Sequence, residues 1–184
     1  MEKTSQSNAA RKSNKDRTSD AIAILSKDHD KVQKLFKKYD EMKESADSEE
    51  KATLAAQICM ELTVHAQAEE EIFYPAVREG IEDEDLMNEA EVEHASAKDL
   101  IAQIGETDPD DEMFDAKVKV LGEYINHHVQ EEEEEMFSKA KKAKVDLSAL
   151  GIKIEARKEE LMAEVAGENA EVTPPRKAQG RSKR

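Results

Sequence analysis

The stretch YINHHVQEEEEEMFSKA, Tyr124 to Ala140, sets two adjacent histidines ahead of five consecutive glutamates and a Met-Phe pair. Read as a helix, it has one register that makes sense of its apolar residues. Stepping by threes and fours, Phe114, Val118, Leu121, Ile125, His128, Glu132 and Met136 fall on one face. A histidine and a glutamate thus stand on an apolar stripe where packing favours leucine or isoleucine. His127 and the remaining glutamates fall off it, as a solvated acidic face would.

The same interruption recurs upstream. One seam reads Ile22, Leu25, His29, Val32, Phe36, Tyr39. A second reads Leu54, Ile58, Leu62, His65, Glu69, Ile72, Ala76, and a third Met87, Ala90, His94, Ala97, Ile101, Ile104. Each carries one histidine, and the second and fourth add a glutamate one turn later. Start and stop signals delimit the segments. Ser19–Asp20 can cap the first helix, which is expected to run to about Glu44. The second is predicted from Asp47–Ser48 to Gly80, with a kink at Pro75. The third is predicted from Asp83 to Gly105; the fourth opens at Asp108–Pro109 and runs to about Lys144. Short loops between four such helices predict an all-α, antiparallel up-down four-helix bundle over residues 20–145. A short accessory helix is expected over 146–166, with disordered tails at 1–19 and 167–184.

Composition narrows the function. The chain has 184 residues and a net charge of −15, with +3 on residues 1–19 and +4 on 170–184, which leaves −22 on the body. Such a body argues against nucleic acid and for cation binding or solubility. One cysteine, Cys59, allows neither an internal disulfide nor a thiolate zinc cluster. No apolar run approaches a membrane span, and the first twenty residues lack a secretory pattern, so a cytoplasmic protein is expected.

Counted along antiparallel helices, the histidines come to similar heights. His29 lies about 15 residues before the end of its helix and His65 about 17 after the start of the next. The His94–His128 pair matches less well, about 11 against 18, an offset of roughly 10 Å at 1.5 Å per residue; a later start near Phe114 removes much of it. Four imidazoles with Glu69 and Glu132 in one interior layer suit two iron ions, since carboxylates can bridge metals and imidazoles supply neutral terminal ligands. Without a cation, two carboxylates buried in an apolar bundle would cost several kcal/mol. Tyr124, one turn before His128, would either hydrogen-bond the site or pack. Lys98 would either stay at the surface or enter the pocket. Cys59, Met60 and Tyr74 read as packing, and Glu70, Glu71 and Glu133 to Glu135 as a solvated face.

The segments HAQAEEEIFYP (His65–Pro75) and HVQEEEEEMF (His128–Phe137), preceded by LSKDHDKVQKLF and EVEHASAKDLI, resemble the hemerythrin HHE cation-binding family over roughly residues 20–142. That family's spacing of His, three residues, Glu, then an aromatic nine places after the His fits Tyr74 and Phe137, and it selects His128 over His127. The resemblance implies a non-haem di-iron centre held by His29, His65, Glu69, His94, His128 and Glu132. It further implies a small diatomic ligand, oxygen or nitric oxide, bound for sensing, storage or stress protection. Oxygen-carrying members have another histidine four places after the third-helix one, where this chain has Lys98. The set is closer to members that respond to nitrosative stress or repair iron centres. Two other classes stay open: a di-iron enzyme acting on peroxide or nitric oxide or in iron-centre repair, and a metal-free acidic interaction protein. The redox partner is not legible.

Overall fold

The computed structural model describes residues 20–171, so the expected N-terminal tail and residues 172–184 lie outside the described part. Four rods form the bundle. The first is α1, Ala21–Met42, opened by the Asp20 carboxylate, which accepts from the Ala23 N–H at 2.9 Å. The second is α2, Ser48–Ala68, which starts with a reciprocal capping box between Asp47 and Glu50. It continues through a five-residue π-helical turn, Glu69–Phe73, into α3, Tyr74–Arg78. The third is α4, Glu84–Glu106, capped by Asp83. The fourth is α5, Glu112–Glu131, followed by a second π turn, Glu132–Met136, and α6, Phe137–Ala140.

Two boundaries differ from expectation. The fourth rod is capped by Asp111, which accepts from the Met113 N–H, and not by Asp108. Asp108, Pro109 and Asp110 form a tight turn in which the Asp108 carbonyl accepts from the Asp111 N–H, so the start moves along the chain. That shift brings His128 nearer the level of His94. The second rod changes register before Pro75: the Tyr74 N–H bonds back to the Glu69 carbonyl, five residues away. Pro75 then falls in the first turn of α3, directly after the register change.

The last helix, α7, spans Leu147–Glu171, longer than the accessory segment expected. Leu150, Ile154 and Leu161 are buried, and α7 packs against α1, α2 and the first π turn. The apolar interior falls into two clusters. One contains Leu25, Phe73, Met87, Met136, Phe137 and Ile154; the other contains Val32, Phe36, Ile58, Leu62, Leu121 and Ile125. The histidines sit between them, because each interrupts its seam at the same level. Among the described residues, no helix is long and apolar enough to cross a membrane.

Candidate metal centre

His29 on α1, His65 on α2, His94 on α4 and His128 on α5 all point inward and are buried, and Glu69 and Glu132 open the two π turns at 0% and 1% exposure. A π turn adds a residue to the helical circuit and is often found at functional positions. Here the glutamate keeps the inward stripe of the preceding helix, and the extra residue brings the following aromatic to the core as well.

The side chains form two pairs. His29 and His65 bring their Nε2 atoms within 3.1 Å of each other, and so do His94 and His128. The two glutamates lie between the pairs. Glu69 Oε2 is 3.1 Å from His65 Nε2 and 3.5 Å from His94 Nε2. Glu132 Oε2 is 3.2 Å from His29 Nε2 and 3.9 Å from His128 Nε2. None of these approaches is a hydrogen bond, and all four carboxylate oxygens are buried without a hydrogen-bond partner.

Behind each imidazole stands a further carboxylate. His29 Nδ1 meets Glu133 at 2.9 Å, His65 Nδ1 meets Asp28 at 3.4 Å, His94 Nδ1 meets Glu70 at 2.9 Å, and His128 Nδ1 meets Glu93 at 2.8 Å. An ionised carboxylate only accepts, so each Nδ1 carries the proton. In the neutral imidazole Nε2 is then a bare acceptor, aimed at another Nε2 and at a carboxylate. With all four imidazoles neutral, six side chains would thus present acceptors to one another with no donor among them, and a cation, whether a metal ion or an added proton, answers that arrangement. The interior donors fall into two groups of metal-ligand spacing, His29–His65–Glu69–Glu132 and Glu69–His94–His128, which share Glu69.

Without a cation, protons offset the charge. Burial alone would lower the His65 pKa, but the charges of Glu69, Asp28 and Glu132 outweigh it and raise it to about 10. Burial also works to raise both glutamates; the neighbouring imidazoles nevertheless hold Glu69 below its ordinary range, and the Glu69 charge adds to burial in raising Glu132. His94 is lowered by burial and by His128.

The centre has an approximate two-fold pattern. Asp28, just before His29, supports His65 as Glu93, just before His94, supports His128. Glu70, just after Glu69, supports His94 as Glu133, just after Glu132, supports His29. Phe137 stacks on the His29 ring at 5.8 Å, and its counterpart Tyr74 brings its hydroxyl within 3.1 Å of His94 Nε2.

This corrects three expectations. Tyr124 is 47% exposed and has no hydrogen bond to the centre, because Leu121, Ile125 and His128 take the inward face of α5. Tyr74, read as packing, is the tyrosine at the site. Glu70 and Glu133, read as solvated, each hold an imidazole; the available signal was their place directly after Glu69 and Glu132 in sequence. Lys98 stays outside, with its ammonium on Glu70 at 2.7 Å. His127 is 60% exposed beside Glu93 and Glu131.

A helical bundle whose interior layer offers four imidazoles and two unpartnered carboxylates defines a class, that of bundle proteins with a buried cation site. The chain belongs to the hemerythrin HHE cation binding domain family, whose profile matches residues 20–140. Over 115 residues it is 34% identical to a DNA nickase of Nostoc sp. (strain PCC 7120 / SAG 25.82 / UTEX 2576), a match covering 62% of this chain and 32% of that protein. The chain therefore spans about a third of that relative's length. It also resembles the crystal structure of a hemerythrin HHE cation binding domain-containing protein from Mycobacterium kansasii, with a TM-score of 0.71 at 22% identity. That likeness covers 84% of this chain and 94% of the other, and bears on the fold.

Proposed function

We propose that the protein holds two iron ions, one near His29 and His65 and one near His94 and His128, with Glu69 and Glu132 shared between them, and that it binds a small diatomic ligand there. The observation that carries the reading is the set of four buried carboxylate oxygens without a hydrogen-bond partner. Each glutamate faces a histidine of both pairs, which favours two cations over one. An acidic interaction protein without metal would keep these carboxylates in an apolar interior with only added protons to offset them, at a cost of several kcal/mol.

Bound iron would supply a Lewis-acidic, redox-active centre, and six side chains on two ions leave coordination positions open. The chain shapes what reaches them. A cavity of about 30 Å³ adjoins the four histidines, walled by Val32, Leu62, Ala97, Ile101, Ile125 and Val129. That volume holds about one water-sized molecule, and its lining favours an apolar one such as oxygen or nitric oxide. Tyr74 adds a buried hydroxyl at the centre. Occupation of His94 Nε2 by a metal would remove its acceptor and free the O–H to donate to an entering ligand. The same hydroxyl favours a second reading, an enzyme acting on peroxide or nitric oxide, since it gives the centre a proton donor.

The test is to reconstitute the protein anaerobically with iron(II), count iron per chain and record the visible spectrum before and after oxygen or nitric oxide. About two irons and a reversible spectral change are expected. Less than one iron per chain would sink the reading, and sustained turnover of peroxide would move it to the enzyme.

A further inference from the structure

The pseudo-two-fold centre is supported unequally, and the inequality comes from α7, which lies beyond the residues that match the family. Lys158 places its ammonium against both oxygens of Asp28, 2.5 Å from Oδ1. Asp28 Oδ2 faces His65 Nδ1 at 3.4 Å. The neighbouring Arg157 forks onto Glu71, with Nε at 2.7 Å from one carboxylate oxygen and Nη2 at 3.3 Å from the other. Glu71 sits in the π turn that Glu69 opens. Two consecutive cations on one helix therefore grip the segment before His29 and the segment after Glu69. The counterparts Glu93 and Glu134 meet no lysine or arginine among the described residues.

We propose that Lys158 is a positioning residue of the metal centre: it fixes Asp28, Asp28 orients the His65 imidazole, and α7 thereby governs how firmly the His29–His65 half holds its cation. This rests on the reading of the centre given above. At 3.4 Å the Asp28–His65 contact is long for a hydrogen bond, so Asp28 by itself is a loose guide for the ring. The ammonium removes that looseness by engaging both oxygens, and in a pair only 20% and 15% exposed it is weakly screened by solvent. The helix is a firm base, because Ile154 and Leu161 on either side of the cations are buried. Partners that orient a liganding histidine are worth about 10–100-fold in metal affinity. Lys158 acts one step further out, which places it at the low end.

The experiment uses the full chain loaded anaerobically with iron(II) and follows iron release to excess ferrozine. Wild type is compared with Lys158→Met, Lys158→Arg and Lys153→Met, the last an exposed α7 lysine with the same charge change. Lys158→Met should release its first iron about tenfold faster. Lys158→Arg should return to within about twofold of wild type, since a cation still meets both Asp28 oxygens. Lys153→Met should match wild type. Release from Lys158→Met at the wild-type rate overturns the proposal, even with a lowered melting temperature of the metal-free form, because a mere tertiary staple behaves that way. Wild-type protein that takes up no iron overturns the reading of the centre instead. Should Lys158→Met not fold, hydrogen exchange on wild type decides. Coupling is reciprocal, so loading must slow exchange of amides 154–161 of α7 by up to about tenfold, and unchanged exchange overturns the proposal.

Discussion

Replacing Glu132 by methionine should stabilise the metal-free protein and abolish its stabilisation by iron. Methionine is unbranched, of similar length, and adapts to irregular gaps, so the change removes the carboxylate without opening a large cavity. Glu132 is 1% exposed, and neither of its oxygens has a hydrogen-bond partner. A buried polar group without a partner costs roughly 1–3 kcal/mol, and apolar replacement of buried charged groups is often stabilising by about 1–4 kcal/mol. The variant also loses the attraction between the Glu132 charge and the protonated His65, so the middle of that range, about 2 kcal/mol, is the expected gain. In a chain of 184 residues that raises the melting temperature by about 4–8 °C. Iron at about a thousandfold excess over its Kd stabilises wild type by about 4 kcal/mol, while the variant has lost a shared ligand. The order of the two proteins should therefore invert: the variant melts higher with chelator, wild type higher with iron. Calorimetric scans under both conditions measure it. A metal-free variant that melts below metal-free wild type would show that the carboxylate has partners inside the bundle, and the argument for a cation would fail.

Three further outcomes test the geometry. His128→Ala should lose most bound iron while His127→Ala keeps it, because His128 is 5% exposed within the centre and His127 is 60% exposed outside it; iron counts per chain decide, and equal losses refute the assignment. Tyr74→Phe should change metal-free stability by no more than about 1.5 kcal/mol yet speed release of the diatomic ligand about tenfold, the worth of one hydrogen bond, as stopped-flow absorbance would read. The His65 pKa is raised from 6.5 to about 10, so its proton stabilises the metal-free fold fully below about pH 6.5 and less as pH climbs towards 10. Iron must displace that proton, so loading at pH 7.5 should release about one proton from this site, with affinity rising as pH rises to about 10. Titration calorimetry in buffers of different ionisation enthalpy measures the release, and none at all would contradict the charge balance described.

The bundle and its six interior candidates were legible in the residue order because burial imposes a period. A helix has one inward stripe, and His29, His65, His94 and His128 break it at equivalent heights, with Glu69 and Glu132 a turn beyond two of them. No such filter acts on the groups behind the imidazoles. With 43 acidic residues in the chain, Asp28, Glu70, Glu93 and Glu133 look like any others along a polar face. Only the packing of one rod against the next puts each within reach of an Nδ1, and only the π turns carry Tyr74 and Phe137 into the core behind Glu69 and Glu132. Tyr124 and Tyr74 make the point most directly. Tyr124 lies one turn before His128 and Tyr74 five residues after Glu69, but α5 turns Tyr124 to water while the first π turn carries Tyr74 to His94. Lys158 lies 130 residues from Asp28, and no periodicity connects them. Hydrophobic burial is a property of a residue and its near neighbours, so sequence alone determined the bundle and the stripe of candidate ligands. Hydrogen-bond support depends on distances between separate helices, so which carboxylates, which tyrosine and which lysine serve the centre was decided by tertiary structure.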